Sequence, residues 1–204
     1  MRRRPLLLTT CALVLALLAP PASGLPAGPE RRTTEPSAAS RVLAISVDGL
    51  NAKAIRRLGP AAAPTLHRLL SEGASTLNAR TAYEQNVTLP NHASMMTGRR
   101  INAAAGGHGV TWDDERPAMT VQKAAGHPVE SVFSVVRDAG GSTALFTTKD
   151  RFRLYERSWP AAISRFEVDE KQRRLVRTAT ADLVRAARRF TFLHISLPDR
   201  FGHR

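Results

Sequence analysis

Cysteine is almost absent from this chain of 204 residues: there is one, Cys11. It lies in an N-terminal stretch that reads as removable. The remainder then has no thiol to serve as nucleophile, metal ligand or disulfide partner. Aromatic residues are scarce as well, at 5%, which argues against a surface that stacks nucleic-acid bases on interleaved rings. Acidic residues are outnumbered, with 17 Asp and Glu against 30 Lys and Arg. Such a surplus suits nucleic acid when it gathers on one face, but here the arginines are scattered. The densest group, Arg173, Arg174, Arg177, Arg185 and Arg188, interleaves with Leu175, Val176, Ala179, Leu183, Val184 and Ala187 at helical spacing. That pattern predicts the solvated side of an amphipathic helix over residues 170–189 rather than a nucleic-acid module. The positive field favours small anionic substrates instead. No internal repeat is present.

The longest apolar run covers residues 6–18, too short to span a bilayer comfortably. Arg2, Arg3 and Arg4 precede it, and Ala22, Ser23 and Gly24 follow as small residues suited to cleavage. Residues 1–24 therefore read as a secretory signal peptide, which implies a secreted or extracytoplasmic product with no membrane span after cleavage. Residues 25–40 are rich in Pro, Ala, Thr and Ser and read as a flexible linker. Residues 41–204 are one domain's worth of chain.

Within that domain, strands are expected to alternate with helices. Residues 42–47 form a continuous apolar run, the pattern of a strand buried on both faces. A helix follows around Leu66, Leu69 and Leu70 and stops at Gly73. Further strands are expected over 75–82, 142–147, 165–168 and 190–195, and helices over 91–97 and 131–139. The glycine- and charge-rich stretch 99–120 reads as a loop. The alternation predicts an α/β fold with a largely parallel sheet, whose function sits at the carboxyl ends of its strands.

Three segments carry chemistry. "RVLAISVDGL" places Asp48 just past a strand, "NVTLPNHASMMTGR" places Thr88 ahead of a helix, and "HISLPDRFGHR" supplies Asp199 and His203. Singly, each has an ordinary reading. Asp48 suits a turn cap, Thr88 a loop hydroxyl, and Asp199 with His203 a local ion pair at i, i+4. His92 and His108 read as structural. Asn86-Val87-Thr88 matches a glycosylation sequon, although a glycan there would cover the loop that bears the chemistry. Together, two carboxylates, a hydroxyl and an imidazole at strand ends are the parts of a phosphoester hydrolase. There, divalent cations clamp the attacking and leaving oxygens and activate the hydroxyl.

From about residue 42 onward the chain resembles the type I phosphodiesterase/nucleotide pyrophosphatase family of the alkaline phosphatase superfamily. "SVDGL", "APTLHRLLSEGA", "TLPNHASMMTGR", "GGHGVTWDD" and "PDRFGH" carry the resemblance, in the family's order. It implies a three-layer α/β/α architecture, C-terminally incomplete relative to the family. It implies two divalent metal ions, zinc in kind, with Asp48 and Thr88 on one and Asp199 and His203 on the other. Thr88 would also be the nucleophile, and the substrate a small phosphorylated molecule such as a nucleotide or another phosphodiester. Asp113 stands where the family places an asparagine that donates to a phosphate oxygen. The family also supplies a later Asp-His pair and a later histidine, which this sequence does not contain. That leaves two ligands per ion, where zinc takes three or four. It also leaves an apolar face or a strand edge bare at the last strand. Two other readings stay open. An inactive fragment or phosphate-binding remnant would follow from the short ligand set. A sulfatase would need a cysteine or serine at position 88 for conversion to formylglycine, and threonine cannot supply it.

Overall fold

The largely apolar run Val42–Val47 does form a strand, β1. The computed structural model describes residues 41–83 and 85–203; the signal peptide and linker lie outside the described residues. Three more strands follow: β2 (Thr143–Thr147), β3 (Arg165–Val168) and β4 (Phe190–Ile195). They lie in the order β1-β4-β2-β3, and every pairing is parallel. The helices in chain order are α1 (Ala52–Ala62), α2 (Pro64–Glu72), α3 (Thr88–Thr97), α4 (Val121–Ala125), α5 (Val132–Asp138), α6 (Arg153–Ser158), α7 (Gln172–Arg185) and α8 (Leu197–Gly202).

Side chains alternate across the sheet and separate two cores. On one face, Leu145, Phe190 and Phe192 meet Leu89, Ala93, Phe133, Phe152 and Tyr155. On the other, Ala144, Phe146 and Leu193 meet Leu175 and Ala179 of α7. Helices therefore cover both faces, giving the three-layer architecture. Burial of each large apolar side chain contributes about 1.5–3 kcal/mol. Polar tips on two of them find partners: the Tyr155 hydroxyl donates to Leu89 O at 2.9 Å and Trp159 Nε1 to Val129 O at 2.9 Å. The first of these ties α6 to the opening turn of α3.

Five expectations change. β1 is not buried on both faces: Val42, Leu43 and Ile45 are 46%, 44% and 55% exposed. It is an edge strand that pairs with β4 alone among the described residues, and an apolar run does not say how many of its faces are covered. The bare strand is thus β1, while β4 lies between two neighbours and is buried. Residues 75–82 form no strand; Asn78 N bonds locally to Thr76 Oγ1 at 3.2 Å, and Ala82 N donates to Asn91 Oδ1 at 3.0 Å. The arginine helix ends at Arg185, so Val184 is exposed and Ala187 lies beyond it. Arg188 is not on a solvated face: with Arg165 it clamps the buried Asp182, at 2.6 and 3.0 Å.

Candidate active site

The carboxyl ends of β1, β2 and β4 meet at one edge of the sheet, and each is followed by a polar residue. Asp48 comes directly after β1, Lys149 two residues after β2, and Asp199 four residues after β4. The Asp48 turn and the start of α8 touch through backbone: Asp199 N donates to Asp48 O at 3.1 Å. Gly49, at φ 72°, makes this approach possible. A Cβ there would stand 2.6 Å from both Asp199 Cα and Asp199 N.

Thr88 is the first residue of α3, three residues earlier than the expected helix start. The residues after it fix its position. Asn91 Nδ2 donates to Gln85 O at 2.6 Å and to Val87 O at 2.9 Å, stapling the incoming loop. His92 Nδ1 donates to Thr88 O, and its Nε2 meets Ser46 Oγ of β1, both at 2.8 Å. Burial lowers the His92 pKa to about 4, so the ring is neutral and Nε2 accepts from the serine. The "PNH" sequence is thus the device that seats the threonine against the sheet.

Thr88 Oγ1 donates to Asp48 Oδ2 at 3.2 Å. Lys149 Nζ lies 2.6 Å from Asp48 Oδ2, 2.9 Å from Asp199 Oδ2 and 3.1 Å from Thr88 Oγ1. His194 Nε2 stands 3.5 Å from Asp48 Oδ2, beyond a good hydrogen bond. Burial pushes the Asp48 carboxyl upward, but His194 and Lys149 outweigh it and hold the group well below the usual carboxylate range. His203 Nε2 lies 3.3 Å from Asp199 Oδ1 and is largely solvent-exposed. An open cavity of about 680 Å³ is lined by Asp48, Thr88, Asp113, Lys149, Arg151, Asp199 and His203. All five residues singled out in the sequence therefore line one cavity.

Asp113 faces the same cavity with both carboxylate oxygens engaged. Its Oδ1 accepts from Leu89 N at 2.8 Å, capping α3, and its Oδ2 is paired with Arg151. The negative charge that would repel a phosphate is thereby compensated. Sequence reasoning missed Lys149, Arg151 and His194. Only the position of Lys149 and Arg151 just past a strand end pointed to them.

The donors fit a divalent cation in kind, being hard oxygens and an imidazole, but not in number. Among the described residues no three His, Cys, Asp or Glu side chains gather around one point, and an ammonium group stands between the two carboxylates.

A family model for type I phosphodiesterase / nucleotide pyrophosphatase matches residues 42–204. Among solved structures, murine ectonucleotide pyrophosphatase / phosphodiesterase 5 is similar both as the inactive variant in complex with AMP and in a second structure of the same protein. Each has a TM-score of 0.62 and 16% sequence identity, and the match covers 80% of this chain and 45% of that one. At this identity the likeness shows the fold, which is alkaline phosphatase-like. The chain spans less than half the length of those structures. No curated protein matches it in sequence. No helix among the described residues is long and apolar enough to cross a membrane.

Proposed function

Because the chain belongs to the type I phosphodiesterase / nucleotide pyrophosphatase family, we propose that it serves hydrolysis of phosphodiester or pyrophosphate bonds, with Thr88 as the nucleophile. The observation that carries this is the convergence of Thr88 Oγ1, Asp48 and Asp199 at one sheet edge, within an open cavity that also presents Lys149 and Arg151. Thr88 Oγ attacks phosphorus in line; the Oγ–P bond forms as the bond to the leaving oxygen breaks, and the hydroxyl proton passes to the leaving oxygen or to solvent, giving a phosphothreonine. Water then cleaves the Oγ–P bond and returns the hydroxyl.

Asp48 orients the Thr88 hydroxyl by accepting from it. A carboxylate held so acidic is a poor acceptor for the proton itself. Activation therefore calls for positive charge beside Oγ1. The family is generally metal-dependent, and Asp48, Thr88, Asp199 and His203 are the residues of this chain that would face two such ions. Alone, these four are too few to hold two ions. Arg151, paired with Asp113 at the N-terminus of α3, is placed to contact a phosphoryl oxygen. The substrate class is a small phosphorylated molecule, such as a nucleotide, and the site of action is secreted or extracytoplasmic.

The test is made on the full-length protein with a chromogenic phosphodiester. Thr88→Ala abolishes turnover while the fold persists, and Thr88→Ser keeps part of it because a hydroxyl remains. Acid quenching during turnover yields a phosphopeptide modified at position 88. Undiminished turnover by the alanine variant refutes the assignment.

A further inference from the structure

A threonine nucleophile needs positive charge beside Oγ1, and one side chain already carries it there. Lys149 Nζ donates to Thr88 Oγ1 at 3.1 Å, to Asp48 Oδ2 at 2.6 Å and to Asp199 Oδ2 at 2.9 Å. An ammonium has three donors, so none is spare. The threonine hydroxyl accepts from Lys149 and donates to Asp48 Oδ2 at 3.2 Å. The lysine is fixed from behind and largely out of water: its backbone N–H donates to Thr147 Oγ1 at 3.1 Å, and its side chain is 15% exposed.

We propose that Lys149 is a catalytic residue, whose ammonium stabilises the Thr88 oxyanion as the Oγ–P bond forms and again as it breaks. This role presupposes Thr88 as the nucleophile. Among the described residues no three ligating side chains gather at this sheet edge, whereas the ammonium meets all three oxygens directly. The need for it is electrostatic. While Oγ1 is a neutral hydroxyl, Asp48 and Asp199 share one cation. Once Oγ1 becomes an oxyanion it stands beside the Asp48 carboxylate, and the two repel each other in a part-buried site. The ammonium offsets that repulsion, and its own contact to Oγ1 strengthens from ion–dipole to ion–ion attraction. An interaction that is stronger in the transition state than in the ground state is one that raises the rate.

Atoms and electrons balance without Lys149 giving up a hydrogen. An Oγ lone pair forms the bond to phosphorus, the leaving oxygen takes the electron pair of the bond that breaks, and the hydroxyl proton passes to that oxygen or to solvent. Water then attacks phosphorus, and Oγ departs with its bonding pair and regains a proton from that water. In-line attack puts the leaving oxygen on the far side of phosphorus from Oγ1. Lys149 therefore serves the nucleophile and not the leaving group, while Arg151 faces the cavity for the phosphoryl oxygens.

The test uses the full-length protein and a series of aryl phosphodiesters of graded leaving-group acidity. In Lys149→Ala, kcat/KM falls roughly a hundredfold or more. Propylammonium, which matches the deleted part of the side chain, restores part of the loss, and tetramethylammonium, with the charge but no N–H, restores none. The wild type responds to neither. Lys149→Arg retains more activity than Lys149→Ala because it keeps a cationic donor. Lys149→Met fills the space without a donor, so it loses activity as alanine does and is not rescued; it decides the matter if the alanine variant fails to fold. The dependence of kcat/KM on leaving-group acidity keeps the same slope in wild type and variants. Undiminished kcat/KM in Lys149→Met overturns the proposal, as does equal rescue by the two ammonium ions. A steeper slope in the variants also overturns it, because it would put Lys149 at the leaving oxygen. Thr88 is judged separately by the phosphopeptide: modification at position 88 with full activity in Lys149→Met removes the role of Lys149 and leaves the nucleophile standing, and no modification in the wild type removes both.

Discussion

Substituting Gly49 by alanine tests whether the two halves of the site meet where the structure puts them. Gly49 has φ 72°, and its missing Cβ would stand 2.6 Å from Asp199 Cα and from Asp199 N. Two costs follow. Alanine in the left-handed region costs about 1 kcal/mol. The overlap with fixed backbone costs about 1–3 kcal/mol more, and relieving it stretches the Asp199 N–H bond to Asp48 O, which contributes about 1 kcal/mol. The total is about 3–5 kcal/mol. Gly126 provides the control: its φ is 73°, and an added Cβ meets nothing within 4 Å. Gly126→Ala therefore carries only the backbone cost, about 1 kcal/mol. Urea denaturation followed by the fluorescence of Trp112 and Trp159 measures both variants against the wild type. A gap of at least about 2 kcal/mol between them is the close approach of Asp48 and Asp199 read as an energy. Equal losses in the two variants would refute that approach, and with it the convergence on which the functional reading stands.

Two further outcomes follow from groups near the nucleophile. Burial lowers the pKa of His92 and of His108 to about 4, against 6.5 when unfolded. The unfolded chain thus binds more protons between those values, so stability is full above pH 6.5 and falls as the pH drops toward 4. The loss is about 2 kcal/mol per histidine by pH 5, and urea melts that coincide at pH 7 and pH 5 would contradict it. Asp113→Asn keeps an acceptor for Leu89 N–H but releases Arg151 from its carboxylate and removes a negative charge facing the phosphate. Turnover of a chromogenic phosphodiester by the full-length protein rises, and a fall would show that the Asp113–Arg151 pair is itself needed.

The sequence was most legible where one local rule suffices. Apolar runs located β1, β2 and β4, and Gly73 ended α2. The rules failed where the outcome depends on what lies across space. Residues 42–47 and 190–195 look alike in sequence, yet the first makes an edge strand and the second the sheet's middle. Residues 75–82 have strand composition but no strand beside them to pair with. Asp182 sits among the polar positions of an arginine-rich helix, and only the return of Arg165 and Arg188 from outside that helix explains its burial. The same limit governs the site. Asp48, Thr88, Asp199 and His203 could be picked out because they sit in segments with a recognisable shape. Lys149 and Arg151 belong to a plainly basic loop, "TTKDRFR", and nothing in that string says that its first cation turns inward. His194 shares a strand face with Phe190 and Phe192 and reads as core.

His194 nevertheless explains why one half of the site is rigid. Ser46, His194 and Thr147 are register partners on three neighbouring strands, so they form a polar row across the end of the sheet. Thr147 Oγ1 accepts from Lys149 N and meets His194 Nδ1 at 2.9 Å. The other ring nitrogen, Nε2, faces Asp48 Oδ2 at 3.5 Å, while Phe152 stacks on the ring at 4.3 Å. His92 repeats the arrangement, accepting from Ser46 and donating to Thr88 O. Two buried rings thus hold the carboxylate and the nucleophile from inside the protein, each anchored to a hydroxyl of the same row. Asp199 and His203 have no buried ring behind them: Asp199 lies in the six-residue α8 and His203 caps its end, exposed. Precision in this site therefore lies with Asp48 and Thr88. Asp199 is instead held from its own backbone, through its N–H to Asp48 O, and by the Lys149 ammonium on its carboxylate.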